Sequence, residues 1–248
     1  MSREYALDDV ELYLLAVMED RRHGLAPDLL RAAAGALSVP FAGVAAARRN
    51  AYLRGMLRRR RAPLPVISVG NLVVGGAGKT PFTSYLVRGL VGQGRQVAVI
   101  ARSYRSGKSD AVNDELVMLG RQAPDALMLA AANRLAGARR AAEQGAELAV
   151  LDDGFQHLPL ERDLDILLLD ATRPFGNGRL LPRGPLREPP ECAARADLAV
   201  LTRVDLAALG QVGELRTWLE RLKPGMPRDK SSSLSCSKRA ISSLDMML

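Results

Sequence analysis

The sequence predicts an α/β fold in which a mostly parallel sheet is flanked by helices and preceded by a separate helical segment. Two observations predict it. From Pro65 onward, short β-branched apolar runs alternate with helical stretches, and before that point the chain is helical and rich in alanine and arginine. At 248 residues the chain can bury one substantial core with a smaller appendage, so we expect one main domain.

The strands and helices of this domain follow one another along the chain. Apolar runs predict strands at Val66–Val69, Val97–Ile100, Ala126–Leu129, Leu148–Leu151, Ile166–Leu169 and Leu198–Leu201. Helices are predicted near Thr80–Leu90, Asp114–Arg121, Arg134–Glu143 and Leu206–Leu222. Because strands alternate with helices, the connections are expected to be crossovers between parallel strands.

The N-terminal segment, residues 1–62, is predicted to be helical from about Pro27 to Arg61, with a break at Pro40. Apolar residues lie beside a cluster of arginines that ends in the run 58–61, a combination that allows a helix to lie on an anionic bilayer. We therefore predict a membrane-docking segment, with a solvated helix packed on its own domain as the alternative. The longest uncharged stretch, residues 32–47, is too short for an ordinary transmembrane helix, and no span is expected.

Composition sets the remaining domain boundaries and narrows the function classes. Residues 63–226 are expected to form the sheet domain, and residues 227–248 a serine-rich, disordered tail. The formal net charge of +8 favours an anionic partner, which could be nucleic acid, an acidic membrane surface or a phosphorylated substrate. Cys192 and Cys236 form no C-x-x-C pair, so neither a disulfide framework nor a zinc site is indicated. The acidic N-terminus is unlike a secretory signal, and export is not expected.

A glycine-rich loop follows the first predicted strand and precedes a helix. Its backbone N–H groups and the helix N-terminus are suited to phosphate oxygens, and the loop predicts a P-loop NTPase-like domain that binds ATP and Mg²⁺. Lys79 would reach the terminal phosphates and the Thr80 hydroxyl would be a ligand of Mg²⁺. The loop is a variant, because the standard pattern has glycine where this chain has Val73. The predicted cofactor-binding residues are Val74, Gly75, Gly76, Ala77, Gly78, Lys79, Thr80 and Pro81.

Acidic residues follow a later strand. Asp152 and Asp153 end the apolar run from Leu148, where a P-loop enzyme needs a carboxylate for Mg²⁺, and they are the predicted metal ligands together with Thr80. They could instead cap a turn, because Asp-Asp-Gly is also good turn chemistry. Asp114 opens a predicted helix and by itself indicates no more than a helix N-terminus.

Arginines recur in the loops expected to follow strands, where parallel sheets bind their ligands. Their guanidinium groups suit phosphate oxygens, although plain solubility is an equal explanation. The stretch Thr202-Arg203-Val204-Asp205 is close to the T-K-x-D base-reading loop of GTPases. Because it lacks the lysine, we favour Asp205 as a helix cap.

Three motifs taken together resemble the tetraacyldisaccharide 4'-kinase family. They are the stretch 69–81 around the glycine-rich loop, Asp-Asp-Gly-Phe-Gln-His at 152–157, and the Leu-Pro-x-Gly-x-Leu-Arg-Glu-Pro run at 181–189. The resemblance runs from roughly Leu29 to about Leu222. It implies MgATP-dependent phosphorylation of the 4' hydroxyl of the lipid A disaccharide precursor, at the cytoplasmic face of the Gram-negative inner membrane, by a peripheral enzyme.

The resemblance also implies roles for single residues. The pair Asp114-Glu115 falls where the family has the acidic residue implicated in activating the acceptor hydroxyl, and Asp114 and Lys79 are the predicted catalytic residues. Arg102, Gln156 and His157 are expected to contact the substrate. Neither nucleic acid nor a protein partner is expected. A histidine of the family's C-terminal lobe has no counterpart here and the tail after Pro227 matches nothing in the family, so the chain is expected to be C-terminally truncated.

Two other functions remain open from the residues. One is a partitioning-type ATPase, whose loop is similar but carries a signature lysine where this chain has Val74. The other is a non-catalytic fragment of the kinase that binds nucleotide or membrane only. A nucleic-acid role would rest on charge alone, without a recognisable binding motif.

Overall fold

The computed structural model describes residues 13–14, 16–102, 114–226 and 228–230. The strands are β1 Val66–Asn71, β2 Val97–Ala101, β3 Leu127–Ala130, β4 Leu148–Asp152, β5 Leu164–Asp170, β6 Leu198–Thr202 and β7 Arg228–Lys230. The helices are α1 Leu25–Leu53, α2 Lys79–Gly92, α3 Asp114–Gln122, α4 Arg134–Glu143 and α5 Gln211–Leu222, with a 3₁₀ helix at Pro190–Arg195.

One sheet contains all seven strands, in the order β3-β2-β4-β1-β5-β6-β7, and each neighbouring pair is parallel. The predicted α/β class with a parallel sheet is therefore confirmed, and the six predicted strands differ from the observed ones by one or two residues at their ends. Strand β7 was not predicted. It pairs with β6 inside the stretch expected to be a disordered tail, so that expectation is wrong for residues 228–230.

The core lies on both faces of the sheet because the central strands are covered by helices on each side. Strands β1, β4 and β5 are buried at every residue, as expected for parallel strands between two helix layers. Ile67 on one face of β1 packs in a cluster with Leu86 of α2, whereas Val66 on the other face packs in a cluster with Ala138 of α4. Parallel pairing brings the carboxyl ends of these strands to one edge of the sheet.

Helix α1 passes through Pro40 without a break and ends at Leu53, so the predicted break and the predicted end at Arg61 are both wrong. A proline inside a helix removes one backbone hydrogen bond, here to the carbonyl of Ala36. The alanine-rich stretches on either side have high helix propensity, which allows the helix to continue past that single loss.

The same helix is long and apolar enough to cross a membrane by length and composition alone. An 18-residue window in it has a mean hydropathy of 1.5, and none of that window is buried. The expectation that no stretch would be long enough considered only the uncharged residues 32–47, whereas the helix extends beyond them on both sides. Its contact with the sheet domain includes the Ser38 hydroxyl, which donates to the carbonyl of Leu180 at 3.1 Å and accepts the N–H of Arg183 at 3.1 Å.

Helix α5 begins at Gln211 rather than at the predicted Leu206. Its N-cap residue is Gly210, in the left-handed conformation with φ of 84°. Asp205 is therefore not a helix cap. The residues between β6 and α5 instead form turns, in which the N–H of Leu206 donates to the carbonyl of Arg203.

The close approach of β1 to the loop after β4 generates a first test. A Cβ on Gly70 would lie 2.7 Å from Phe155 Cβ and 2.8 Å from the Phe155 nitrogen, so Gly70→Ala should lower the free energy of unfolding by about 1–3 kcal/mol. Gly213 in α5 has nothing within 4 Å of its Cβ position, and Gly213→Ala should raise stability by about 0.5–1 kcal/mol. Urea denaturation measures both, and equal stabilities for the two variants would contradict the packing argument.

Candidate nucleotide and acceptor site

The glycine-rich loop connects the end of β1 to the start of α2. Gly75 and Gly78 have φ of 113° and 77°, in the region that a side chain disfavours, so the loop requires glycine at these two positions. Because α2 begins at Lys79, the first N–H groups of the helix lie at the end of this loop. The predicted phosphate cradle therefore has the expected arrangement of strand, loop and helix.

Two other segments hold this loop in place. The segment that contains Arg187 runs antiparallel to it, with the Val74 N–H donating to the Pro185 carbonyl at 2.7 Å and the Arg187 N–H to the Leu72 carbonyl at 2.8 Å. At the end of β6, the Thr202 hydroxyl donates to the Ala77 carbonyl at 3.1 Å. Both contacts join residues more than a hundred positions apart, and sequence reasoning did not predict them.

Lys79 lies where its predicted role requires. Its ammonium is 3.4 Å from Asn71 Oδ1, 3.4 Å from the Gly75 carbonyl and 3.9 Å from Asp153 Oδ1. The side chain is largely buried, with 11% of it exposed. The ammonium is thus poised between the loop and the carboxylates that follow β4.

The aspartate pair is placed by β4 and by a buried arginine. Asp152 is the last residue of the strand and accepts the Thr83 hydroxyl at 3.4 Å, and Asp153 has φ of 52° and accepts Arg187 at 2.7 Å. Arg134 donates to the carbonyls of both aspartates, at 3.1 and 2.9 Å, and so fixes the turn. The interpretation of the pair as a mere turn cap would leave these contacts to Lys79, Thr83 and Arg187 unexplained.

The electrostatics of the pair suit a cation. Burial, with the nearby charges of Glu115 and Asp153, raises the pKa of Asp152 to about 6, while Lys79 and the Thr83 hydrogen bond oppose the shift. Asp153 Oδ1 is buried and has no hydrogen-bond partner, so it can accept a metal ion. Among the described residues no group of three acidic, histidine or cysteine side chains forms a metal cage. Mg²⁺ commonly takes only one or two protein carboxylates beside phosphate and water oxygens, so the residues present fit it.

A cleft of about 650 Å³, here called the nucleotide cleft, opens beside the loop. Six of the eight predicted cofactor-binding residues line it. The remaining two, Val74 and Ala77, face a different cavity on the other side of the loop. The lining residues of the nucleotide cleft are Gly75, Gly76, Gly78, Lys79, Thr80, Pro81, Glu115, Asp153, Arg187 and Arg203.

A second cleft, the α1 cleft, has a volume of about 420 Å³ and lies between α1 and the aspartate pair. Asp153 and Arg187 line both clefts and form the boundary between them. Its lining combines apolar side chains with four arginines. Its lining residues are Phe41, Val44, Ala45, Arg48, Arg49, Arg102, Asp153, Gln156, Leu158, Leu181, Arg187 and Glu188.

Two of the three predicted substrate-contacting residues line the α1 cleft, and the third does not. Arg102 and Gln156 line the α1 cleft, and the Gln156 amide also donates to the Asn71 carbonyl at 2.8 Å. His157 lines neither the nucleotide cleft nor the α1 cleft. Burial and four surrounding arginines lower the pKa of His157 to about 4, so its imidazole is neutral at pH 7.

Asp114 begins α3, but its side chain lies outside the described residues, as do residues 103–113. Its neighbour Glu115 lines the nucleotide cleft. The roles of Asp114 and of the metal and substrate residues therefore stay predictions.

Three features define the class of the protein. They are the glycine-rich loop after β1, Lys79, and the aspartate pair at the end of the neighbouring parallel strand β4. A strand–loop–helix with Gly-Lys-Thr, next to a strand that ends in carboxylates, is the nucleotide-binding arrangement of P-loop proteins. The chain is thus a P-loop NTPase-like protein.

Comparison with known families identifies the family to which the chain belongs. The model of the family described as tetraacyldisaccharide-1-P 4'-kinase (LpxK) matches residues 30–239, and the chain belongs to this family. The match extends past Leu222 and Pro227, so the expectation that nothing after Pro227 resembles the family is wrong.

Individual relatives agree with this assignment. The tetraacyldisaccharide 4'-kinase of Anaeromyxobacter dehalogenans strain 2CP-C is 45% identical over 210 residues, which are 77% of this chain and 56% of that protein. That of Syntrophotalea carbinolica is 48% identical over 170 residues, 61% of this chain and 48% of that protein. The crystal structure of LpxK from Aquifex aeolicus in complex with ATP has a TM-score of 0.67 at 32% identity, covering 81% of this chain and 64% of that one. The chain spans about half the length of the curated relatives it matches.

The raised pKa of Asp152 generates a test on the metal-free chain. Between pH 4 and 6 the folded state holds a proton that the unfolded state releases, so this group lowers stability progressively as the pH rises to about 6. Asp152→Asn removes the penalty and should stabilise the chain by about 3 kcal/mol at pH 7.5 in EDTA, with the gain vanishing near pH 4. Thermal or urea unfolding across this range measures it, and a gain that does not depend on pH would contradict the assignment.

Proposed function

We propose that the chain carries out ATP-dependent phosphorylation of the 4' hydroxyl of the tetraacyldisaccharide 1-phosphate precursor of lipid A. The observation that carries the proposal is the meeting of two unlike clefts at Asp153 and Arg187. One is bordered by the glycine-rich loop, and the other combines an apolar wall with several arginines. A phosphoryl group transferred from one cleft to the other would cross only the boundary that Asp153 and Arg187 form.

The nucleotide cleft is proposed to hold MgATP. The crystallised relative from Aquifex aeolicus is a complex with ATP, which supports this ligand. Lys79 would contact the terminal phosphates, and Thr80, Asp152 and Asp153 would hold Mg²⁺, which supplies positive charge against the developing charge of the transferred group. Arg187, paired with Asp153 at 2.7 Å, adds a guanidinium at the point of transfer. Catalysis would consist mainly of positioning and charge stabilisation.

The α1 cleft is proposed to hold the acceptor. A phosphorylated sugar with acyl chains needs cations for its phosphate and an apolar surface for its chains, and this cleft offers Arg48, Arg49 and Arg102 together with Phe41 and Val44. Gln156 would orient the sugar beside Asp153. Asp114 would orient or deprotonate the 4' hydroxyl, and Lys79 would complete the pair of catalytic residues.

Helix α1 is proposed to dock peripherally on the anionic cytoplasmic face of the Gram-negative inner membrane. Leu29, Leu37 and Val39 are exposed along it, and Arg48 and Arg49 follow toward its end. An exposed apolar helix with neighbouring cations binds a bilayer surface through burial and through attraction to anionic lipids. The acceptor lipid would then be present where the cleft opens.

The first experiment mixes the purified chain with radiolabelled ATP, Mg²⁺ and tetraacyldisaccharide 1-phosphate. Label is expected in the lipid, and Lys79→Ala should lower the rate by about a hundredfold or more because the transferring phosphates lose their cation. Lys223→Ala is the matched control, because Lys223 donates to the Ala196 carbonyl outside both clefts and should leave the rate unchanged.

Other outcomes would select the remaining functions. ATP hydrolysis without lipid phosphorylation would favour the partitioning-type ATPase. Binding of MgATP in calorimetry without any product would favour a non-catalytic fragment. Absence of heat at millimolar MgATP with folded protein would reject nucleotide binding itself.

The membrane proposal is tested by co-sedimentation with vesicles that contain anionic phospholipid. Leu29→Glu with Leu37→Glu should weaken partitioning by about tenfold or more, because two apolar side chains no longer enter the bilayer surface. The control replaces Leu206 and Leu209, two exposed leucines after β6, by glutamate. Equal losses in the two double variants would show that added negative charge, and not the α1 surface, is responsible.

A further inference from the structure

Residues 16–22, here called the N-terminal arm, contact the start of α1 and the later segment 177–183. The match to the family model begins after the arm. Val17 is buried, with 4% of it exposed, and the Arg21 N–H donates to the Ala16 carbonyl at 2.8 Å, which closes the arm into a turn. The arm is thus a packed part of the molecule to which the function proposed above assigns no role.

Asp20 is the centre of the contacts that the arm makes. Its carboxylate accepts Arg183 Nη2 at 2.7 Å and Asn177 Nδ2 at 3.2 Å. The oxygen that accepts Arg183 also lies 3.7 Å from Arg31 Nε on α1. The backbone carbonyls two residues to either side of Asp20 accept Asn177 and Arg31, at 2.6 Å each. One carboxylate therefore joins the start of α1 to a segment that is distant in sequence.

Polar contacts hold α1 on the sheet domain, because the helix buries almost nothing. All residues of α1 are described, and Pro27 is the only one of them that is buried. A helix normally packs on its domain through an apolar face. Here Ser38 holds the middle of the helix, and near its end Arg49 donates to Cys192 Sγ at 3.1 Å. The pairing of Asp20 with Arg31 adds a contact near the start.

The two elements that the arm joins also line the α1 cleft. Phe41 comes from α1, and Leu181 and Arg187 come from the later segment. Arg31 precedes Phe41 by about 15 Å along the helix axis, so a displacement at the start of α1 changes the opening of the cleft. Asp20 lines neither the α1 cleft nor the nucleotide cleft. Its effect on a ligand is therefore exerted through these two elements.

We infer that Asp20 is a positioning residue for the acceptor, which fixes the opening of the α1 cleft by pairing with Arg183 and Arg31. The inference rests on the proposed function, because it takes the acceptor to bind in the α1 cleft. It requires no contact between Asp20 and the acceptor. Loss of the carboxylate would therefore weaken binding of the acceptor more than binding of MgATP.

The test measures the steady-state kinetics of Asp20→Asn with tetraacyldisaccharide 1-phosphate and MgATP. Asparagine has nearly the same shape as aspartate and tolerates the observed φ of 61°, but it lacks the charge. The KM for the acceptor should rise about fivefold, and the KM for MgATP should stay within twofold. A variant that merely unfolds in part would instead lose kcat with both KM values unchanged. Asp20→Glu restores a carboxylate and should recover part of the loss.

Asp28→Asn is the matched control. Asp28 pairs with the same Arg31 from within α1, and its ion pair does not involve the later segment. Both KM values should stay within twofold in this variant. Arg183→Met should reproduce the rise in the KM for the acceptor, and its combination with Asp20→Asn should be no worse than either change alone, because both remove one interaction.

Hydrogen exchange gives a second readout, which needs no turnover. The backbone amides between Arg31 and Ser38 should exchange about threefold faster in Asp20→Asn than in Asp28→Asn, because the start of α1 is held less firmly. Equal exchange rates in the two variants would overturn the inference.

The kinetic outcomes separate this inference from the proposed function. An unchanged KM for the acceptor in an active Asp20→Asn variant would overturn the inference alone. Equal rises in Asp20→Asn and Asp28→Asn would also overturn it, because the loss would then come from the surroundings of Arg31 and not from the joint with Arg183. Failure of the unsubstituted chain to label the lipid would overturn the proposed function, and this inference with it.

Discussion

The parallel pairing of β1 with β4, which sets Val69 opposite Asp152, determines where the charged groups of the site lie. Strand β4 ends in the carboxylate of Asp152, which is therefore buried beside the glycine-rich loop that follows β1. A buried carboxylate without full compensation is costly, and the charge of Lys79 and the hydroxyl of Thr83 offset part of that cost for Asp152. Arg134 holds the turn by donating to the backbone carbonyl of Asp152. The loop, the turn after β4 and the start of α4 are therefore stabilised together.

The same arrangement explains why the clefts meet as they do. Arg187 comes from a segment that runs along the loop as an extra antiparallel stretch, and its guanidinium reaches back to Asp153. The nucleotide cleft and the α1 cleft thus share a wall made of one carboxylate and one guanidinium. The close contacts at Gly70, which leave no space for a methyl group, keep that wall at a fixed distance from the sheet.

Features encoded within a few consecutive residues could be predicted from the sequence, and features that depend on distant segments could not. The loop with Lys79 and Thr80 and the pair that ends β4 are local patterns, and the structure brings them together at one edge of the sheet. Arg134, Thr202 and Arg203 act through contacts with residues far along the chain. The sequence marks Thr202 and Arg203 as part of a stretch close to a base-reading loop, but nothing in it signals these contacts. The break predicted at Pro40 is wrong because the helix propensity of the whole segment outweighs the single hydrogen bond lost at the proline. Strand β7 was not predicted because its three polar residues form a strand only through pairing with β6.

The hydrogen bonds of Ser38 to Leu180 and Arg183 have a mechanical consequence. They tie α1 to the segment that carries Arg187, so the helix proposed to rest on the bilayer is joined directly to the wall between the clefts. In the proposed orientation, a lipid in the bilayer would reach Asp153 and Arg187 at the level of its headgroup. Each methylene drawn out of the hydrocarbon costs about 0.8 kcal/mol, and the apolar residues of the α1 cleft would offset part of that cost for the acyl chains of the proposed acceptor.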